Sequence, residues 1–343
     1  MKRLLLMVLL WGVTAGAAAA ERQVYFYNWS EYLPEAVLAQ FTKESGIKVV
    51  YTTYDSNEAL YAKLKLLKGG GYDLVVPSAY FVSKMSREGM LQPLDLLRLG
   101  NLKNLDASRL NQPFDPGNRF SVPYLWGSTG ILVDKRFVDP TKVTGWADLW
   151  RPEFRNQVLL LNDVRDVFFV ALRVLGYSGN STDPEELRKA YEKLLELRPN
   201  VRLFDSDTPR TPFLTGEVRL GMIWNGEAFM AQQENPNLVY IYPKEGAGLW
   251  MDNLVIPKGA KNVQEAHELI NFLLRPEIAR QISEEVGYSS PNHAAREQMA
   301  AEVRNDRTAY PVAADLAGAE FQLDVGKAMQ TYEKYWERLK AGK

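Results

Sequence analysis

The chain has 343 residues, of which 46% are hydrophobic and 24% charged, a balance typical of globular proteins. Its formal net charge is −1 at pH 7, so it lacks the basic surplus that nucleic-acid-binding proteins carry. It contains no cysteine, which excludes disulfides, thiolate metal centres and a cysteine nucleophile.

The first twenty residues have the layout of a secretory signal peptide. Lys2 and Arg3 form a positive start, Leu4 to Val13 an apolar segment, and Ala18 to Ala20 a small-residue cleavage site. The mature chain is therefore expected to begin near Glu21, with 39 basic against 42 acidic residues and a net charge of −3. Because there is no cysteine to carry a lipid anchor, a free periplasmic protein is predicted.

The next hundred residues alternate between strands and helices. QVYFYNW, IKVVYTTY and YDLVVPS have the apolar character of buried strands, and helices are predicted from Leu33 to about Ser45 and over NEALYAKLKLLK. Such alternation is typical of a parallel sheet with helices on both faces, where ligands bind beyond the carboxyl ends of the strands. The segments NWSEY and PSAY, which follow two of these strands, are expected to share that edge.

A second unit of the same kind is predicted from about Pro123 to Met251. QVLLLND is a strand followed by a helix from Asp163 to Leu175, and DPEELRKAYEKLLEL is an amphipathic helix with Pro184 at its first position. EVRLGMIWNGEAFMAQQ predicts strand, loop and helix, which places Trp224 at a strand's carboxyl end. Because roughly 320 mature residues exceed one typical core, two α/β lobes are expected.

Aromatic and acidic residues collect in the segments that follow these strands. Trp250 and Asp252 lie two apart in GLWMDNL and point to the same face of a strand. Ring faces attract ammonium groups and carboxylates accept their hydrogen bonds, so the set suits an extended organic cation. Its members are Trp29, Ser30, Glu31, Tyr32, Ser78, Tyr80, Asp163, Asp166, Trp224, Asn225, Trp250 and Asp252.

Structural roles compete with this interpretation. Asp163 is well placed as a helix N-cap, with Asp166 in the first turn, where the helix dipole favours carboxylates. Trp29 and Trp224 also suit a hydrophobic core, whereas an unpaired buried Asp252 is costly and favours a function. The only two histidines are far apart in sequence, so no metal site is predicted.

Five motifs resemble the spermidine/putrescine-binding proteins of bacterial ABC polyamine importers: YFYNWSEYLPEAVLAQFTKESGIKV, YDLVVPSAYFV, GMIWNGEAF, WMDNLVIP and LINFLLRPEIARQISEEVGYSSPN. The resemblance spans essentially the whole mature chain and implies an α/β, two-lobed type II periplasmic binding fold. In that fold each lobe is a mostly parallel sheet flanked by helices, and the ligand cleft lies between the lobes. By analogy the lobes are 21–121 plus 254–305 and 122–253 plus 306–343, crossing near 121–124 and 250–256. It further implies capture of a protonated polyamine and delivery to an inner-membrane ABC permease, without catalysis, cofactor or metal.

The family's binding residues carry over to fourteen positions. They are the aromatic residues Trp29, Tyr32, Tyr80, Trp224, Trp250 and Tyr288, the acids Glu31, Asp163, Asp166 and Asp252, and the polar residues Ser30, Ser78, Ser206 and Gln322. Asp166 stands where spermidine-preferring members have glutamate, and Ser30 where they have threonine. Because putrescine-preferring relatives also have NWS here, the choice between the two polyamines stays open. On this resemblance, Asp163 and Asp166 cap a helix that faces the cleft, and Asp163 also holds an ammonium group.

Three alternatives on the same fold remain for comparison. The first is a polyamine sensor that docks on a membrane signalling protein, which the sequence does not separate from a transport role. The second is a ferric-ion binder, which uses adjacent tyrosines where GYSSPN offers only Tyr288. The third is a hydrolase or transferase with a cysteine nucleophile, against which the absence of cysteine argues.

Overall fold

The computed structural model describes residues 21–342, so the expected signal peptide, residues 1–20, lies outside the described residues. Within 21–342, no helix combines the length and the apolar character that crossing a bilayer requires. The same range contains ten strands and twelve α-helices, connected in part by short 3-10 turns.

The strands are β1 (Gln23–Trp29), β2 (Lys48–Tyr54), β3 (Leu74–Val75), β4 (Ser121–Asp134), β5 (Val158–Leu160), β6 (Val201–Phe204), β7 (Leu220–Trp224), β8 (Leu238–Ile241), β9 (Gly248–Val255) and β10 (Glu320–Phe321). The helices are α1 (Glu35–Ser45), α2 (Asn57–Leu66), α3 (Ala79–Arg87), α4 (Val164–Val174), α5 (Pro184–Leu197), α6 (Thr211–Leu214), α7 (Asn225–Glu234), α8 (Val263–Leu273), α9 (Pro276–Val286), α10 (His293–Glu297), α11 (Ala301–Arg304) and α12 (Met329–Lys340).

Most predicted elements are present, with small differences at their ends. Helix α1 begins at Glu35 and not at Leu33, because a residue before a proline is disfavoured in the helical region and Pro34 itself is extended. Helix α4 follows Asp163 as predicted, and Pro184 occupies the first position of α5. Strand β7 ends at Trp224, the predicted position.

All ten strands belong to one sheet, in the order β2-β1-β3-β9-β4-β7-β5-β6, with β10 beside β9 and β8 beside β4. Strand β1 is parallel to β2 and β3, and β5 is parallel to β6 and β7. We call the side that contains β1–β3 the first half and the side that contains β5–β7 the second half. The predicted parallel pairing holds within each half, but the two halves share one hydrogen-bonded sheet.

The antiparallel pair β4–β9 joins the halves. It runs in register from Ser121 opposite Val255 to Thr129 opposite Gly248, with a bulge after Pro123. A proline has no N–H to donate to the ladder, which explains the irregularity at that point. Both strands are buried along their whole length. The crossings expected near 121–124 and 250–256 lie in or directly after these strands.

Two large apolar clusters flank the joining pair. The first packs β1 and α1 against α8 and α9, with Phe26 and Ile270 fully buried. The second packs β5 against α4, α5 and α12, with Phe168 fully buried and Trp336 nearly so. Trp224 contacts both clusters, so it lies where the two halves meet.

Candidate functional site

A cleft of about 740 Å³, open to solvent, is lined from both halves of the sheet. The end of β1, the start of α3, the start of α4, the end of β7 and the middle of β9 all contribute to it. The carboxyl ends of the parallel strands therefore meet at one edge, as the alternating pattern predicts. All fourteen positions carried over from the family resemblance line it: Trp29, Ser30, Glu31, Tyr32, Ser78, Tyr80, Asp163, Asp166, Ser206, Trp224, Trp250, Asp252, Tyr288 and Gln322.

Asp252 lies on β9 and is only 5% exposed. Its Oδ1 accepts a hydrogen bond from the Ser78 hydroxyl at 2.6 Å, and its Oδ2 accepts one from the Tyr32 hydroxyl at 2.7 Å. Burial raises the pKa of Asp252 to about 6, although both hydrogen bonds act to lower it. A carboxylate accepts about four hydrogen bonds, so this one keeps acceptor capacity for a group that enters the cleft.

Asp163 and Asp166 form a second acidic centre at the start of α4. Asp163 caps the helix, because its side chain accepts a hydrogen bond from the Asp166 backbone N–H at 2.9 Å. Asp166 Oδ1 accepts from Gln322 at 2.7 Å and from Thr129 at 3.0 Å, and its Oδ2 accepts from the Trp224 indole at 2.9 Å. The predicted capping role of Asp163 is confirmed, and both residues also line the cleft.

Aromatic rings surround these acids. The Tyr288 ring packs edge-on against Tyr32 and Trp250, with ring centroids 5.2 and 5.3 Å apart. Trp29 packs against Tyr54 at 4.8 Å and donates its indole N–H to the Val76 carbonyl oxygen at 2.8 Å. Because the rings are fixed by one another and by backbone, they form stable walls for an apolar or cationic chain.

Two glycines let Tyr288 reach the cleft. Gly287 adopts a left-handed conformation, with φ of 79°, that ends α9 and turns the chain towards Tyr288. Gly226, at the start of α7, lies against the Tyr288 ring so closely that a Cβ at this position would overlap the ring carbons. Both positions therefore require glycine for the observed packing.

The electrostatics of the cleft are strongly acidic. Seven carboxylates line it, those of Glu31, Asp55, Asp163, Asp166, Asp207, Glu227 and Asp252, and its described lining contains no lysine, arginine or histidine. Burial raises the pKa of Asp166 and of Glu227 to about 7 each, and also raises that of Asp163. Ionised acids are costly in such a buried setting because they lose their hydration. A cation that pairs with them reduces this electrostatic cost.

Metal coordination does not match this arrangement. Throughout residues 21–342, no three or more histidine or acidic side chains come together in a way that could hold a metal ion. The chemistry available is the recognition of a cation by carboxylates and ring faces. The buried hydroxyl of Ser206, which has no hydrogen-bond partner in the described chain, adds a free polar group.

Comparison with known proteins identifies the family. The profile of the bacterial extracellular solute-binding proteins matches residues 36–310. The chain belongs to this family. Its members bind solutes, so the cleft is the natural candidate for the solute site of this family member.

Relatives within this solute-binding family cover nearly the full chain. The spermidine/putrescine-binding periplasmic protein of Salmonella typhimurium is 54% identical over 332 residues, 97% of this chain and 95% of the relative. The putrescine-binding periplasmic protein PotF of Escherichia coli is 36% identical over 97% of this chain and 96% of its own. A solved structure of the spermidine/putrescine ABC transporter substrate-binding protein PotD of Streptococcus pneumoniae is 38% identical, with a TM-score of 0.79 over 94% of this chain and 99% of that one. The two-lobed α/β fold expected from the sequence is confirmed.

Six lining residues were missed: Tyr54, Asp55, Asn57, Asp207, Pro209 and Glu227. Asp55 follows β2 directly, so the rule that selected the other strand ends would have found it. Glu227 lies three residues after Trp224, in the first turn of α7. Asn225, in contrast, was wrongly grouped with the cleft. It is fully buried, and its amide donates to the Thr308 carbonyl oxygen at 3.0 Å.

Proposed function

We propose that this solute-binding protein is the periplasmic component of a bacterial ABC importer for polyamines. It captures protonated spermidine, putrescine or both in the acidic aromatic cleft and delivers them to an inner-membrane permease. Relatives that are 54% identical over nearly their full length carry spermidine/putrescine binding in their names, which supports the ligand class. The lining of seven carboxylates without a basic residue among its described members supports it independently.

The environment of Asp252 is the single observation that carries the proposal. Two hydroxyl groups hold this buried carboxylate in place, and neither hydroxyl neutralises its charge. Trp250 and Tyr288, which line the cleft with Asp252, supply ring faces for the methylene groups and the cationic centres of a polyamine. A carboxylate kept ionisable at this depth needs a cationic partner, and a protonated amine supplies one.

We assign the fourteen residues complementary roles. Asp163 and Asp166 bind amines at one end, Glu31 at the other, and Asp252 between them. The aromatic residues enclose the chain, while Ser30, Ser78, Ser206 and Gln322 position the acids or donate and accept further hydrogen bonds. A cation–π contact contributes about 2 kcal/mol and a hydrogen bond to a charged group roughly 1.5–3 kcal/mol. A few of each, less the costs of ordering and desolvation, reach the −8.2 kcal/mol or so of micromolar binding.

We further propose that the halves move as lobes, 21–121 plus 254–305 and 122–253 plus 306–343. Closure about β4 and β9 buries the ligand and forms the surface that the permease recognises. The protein acts without catalysis. Cleavage before Glu21 releases it into the periplasm without a lipid anchor, and the mass of the protein in a periplasmic extract tests this directly.

Calorimetric titration of the mature chain with spermidine and with putrescine tests the function. The protein is unfolded and refolded first, so that ligand carried through purification is removed. Micromolar or tighter binding of at least one polyamine is expected, and Asp252→Asn and Trp250→Ala should both weaken it. 1,4-Butanediol has the length of putrescine but no charge, so it tests whether the length of the ligand is sufficient for binding. It should not bind. Absence of heat with both polyamines from a folded sample contradicts the proposal. The titrations also decide between the two polyamines, which Asp166 and Ser30 leave open.

A further inference from the structure

An arginine of the protein itself stands at the acidic cleft. Arg210, in the segment between β6 and α6, places its guanidinium between Glu31 and Glu227. Glu31 follows β1 in the first half, whereas Glu227 belongs to α7 in the second half. Arg210 therefore bridges the two halves of the protein at one end of the cleft.

The contacts of Arg210 are loose. Its nitrogen atoms lie 3.5 Å from the Glu31 and Glu227 carboxylates, compared with about 2.7–2.9 Å for a charge-assisted hydrogen bond. Glu227 is only 7% exposed, and its Oε2 accepts no hydrogen bond from any described residue. The guanidinium compensates charge here while it leaves acceptor positions open.

Four of the cleft's seven acids form two pairs, with Asp252 between the pairs. Asp163 and Asp166 lie near Tyr80, and Glu31 and Glu227 lie near Tyr288, as their electrostatic effects on these two tyrosines indicate. Asp252 links the groups, because it accepts from Ser78 beside Tyr80 and from Tyr32 beside Tyr288. The Tyr288 end thus has the Arg210 guanidinium between two carboxylates, and Asp205 adds a further negative charge near Glu227.

Arg165, which lies at the Tyr80 end of the cleft, is held differently. It is almost fully buried, and its guanidinium donates to the Leu323 carbonyl oxygen at 2.9 Å and to Asn180 at 3.0 Å. Its guanidinium also lies 5.5 Å from the centroid of the Tyr80 ring in the first half, but its hydrogen bonds go to neutral oxygen atoms of the second half and not to acids. Arg210, whose side chain is 27% exposed, has the freedom to respond to a ligand.

We infer that Arg210 is a specificity-determining residue that competes with an ammonium group for the acids at the Glu31/Glu227 end. A ligand with two cationic groups pairs with Asp252 and the Asp163/Asp166 end without meeting Arg210. A third ammonium group at the Tyr288 end would lie close to the guanidinium and be repelled by it. The inference rests on the proposed function, and its consequence is a bias of the cleft towards diamines over triamines.

The test measures the ratio of the Kd for putrescine to the Kd for spermidine, by calorimetry on the refolded mature chain. Arg210→Gln should shift this ratio about tenfold in favour of spermidine, because the like-charge repulsion is lost. Arg210→Lys keeps the charge and should leave the ratio within about twofold. Glu227→Gln should shift the ratio the other way, because it removes one negative charge from the Tyr288 end.

A matched control separates selectivity from a simple latch between the halves. Arg87 of α3 forms an ion pair with Asp324, which precedes α12, and neither residue lines the cleft. If Arg210 served only to hold the halves together, Arg210→Gln and Arg87→Gln would each weaken the binding of putrescine and of spermidine by the same factor.

Each outcome decides one question. The inference is overturned if Arg210→Gln leaves the ratio of the two Kd values unchanged. It is also overturned if Arg210→Gln and Glu227→Gln move this ratio in the same direction. In both cases the polyamine function stands. Binding of neither polyamine by the unaltered chain overturns the proposed function, and the inference with it. Opposite shifts in the two variants, with no shift in Arg87→Gln, support the role of Arg210 in selectivity.

Discussion

Replacement of Asp252 by asparagine should make the protein a weaker binder and, at the same time, a more stable fold. The substitution preserves the shape of the side chain and removes its charge. A lost hydrogen bond to a charged group costs roughly 1.5–3 kcal/mol, so polyamine binding should weaken about 10- to 150-fold. Tyr32 and Ser78 keep a polar partner of the same size, so the walls of the cleft stay in place.

The gain in stability follows from the perturbed carboxyl group. A pKa of about 6 in place of 3.8 means that ionised Asp252 destabilises the ligand-free fold by about 3 kcal/mol at pH 8. Asparagine avoids this cost, although its hydrogen bonds with the two hydroxyl groups are less favourable and destabilise the fold by about 1 kcal/mol. A net gain of about 2 kcal/mol remains, which corresponds to a rise of a few degrees in Tm.

Calorimetric titration and thermal unfolding at pH 8, both on ligand-free refolded protein, measure the two effects. Asp207→Asn removes the same charge from an exposed position at the cleft, so it should weaken binding less than about threefold and leave Tm nearly unchanged. A lower Tm for ligand-free Asp252→Asn, or binding within about threefold of the unaltered protein, would refute the reasoning.

Three further predictions follow from the same geometry. Burial raises the pKa of Asp166 to about 7 and that of Asp252 to about 6. Because bound ammonium groups favour the ionised forms of both acids, binding at pH 6.5 should release protons. For the same reason, polyamine binding should weaken below pH 6. Titrations in two buffers of different ionisation enthalpy measure the release, and equal heats would contradict it. Between about pH 4 and 7, the same two acids bind more protons in the folded than in the unfolded state. The free energy of unfolding of the ligand-free protein therefore falls as the pH rises through that window. The fall in Tm from pH 5 to pH 8 should therefore be smaller in Asp252→Asn than in the unaltered protein, and an equal fall would count against the assignment. Gly226→Ala should displace the Tyr288 ring, destabilise the fold by about 1–3 kcal/mol and weaken binding. Gly100→Ala, where an added Cβ meets open space, is the control, and equal effects of the two substitutions on binding would argue against ring displacement.

The residues at strand ends were predictable because of a general property of parallel sheets. Trp29 and Trp224 end strands, and Ser78 follows one closely, so their meeting at one edge needed only the order of strand and helix. The capping position of Asp163 was equally visible, since an acid before an apolar helical run is a local signal. These predictions depended on short stretches of chain, where the pattern of side chains is sufficient.

The joining strand β4 was not predicted as a strand from the sequence. Its sequence, SVPYLWGSTGILVD, contains a proline and two glycines, which usually weaken a strand assignment. The structure accommodates them individually. Pro123 lies at the bulge, Gly127 leaves room for the Trp250 ring, and Gly130 leaves room for the Tyr240 ring. The partners in these contacts lie more than a hundred residues away in the chain, so the sequence of β4 itself does not indicate them.

Pairings between distant residues account for the other differences. Arg210 and Glu31 lie 179 positions apart in the chain and meet only because the sheet brings the two halves together. Asn225 follows Trp224 directly, yet its side chain is committed to the Thr308 backbone. A neighbour in sequence thus faces away from the cleft, while a distant residue stands beside it.

The position of Asp252 within β9 has a mechanical consequence. In a rotation of the halves about β4 and β9, groups on the axis travel little, whereas those held on the outer parts of each half travel far. Asp252 lies on the axis of the closure proposed above, so we expect it to meet a ligand with almost the same geometry before and after rotation. Glu31, which follows β1, lies away from the axis, and we expect it to reach a ligand fully only when the halves come together. Asp166 accepts a hydrogen bond from Thr129 of β4, so it lies beside the axis with Asp252. A contact that is equal in two states does not shift the balance between them. We therefore expect groups at the axis to attach the ligand first, and groups away from it, such as Glu31, to favour the closed state.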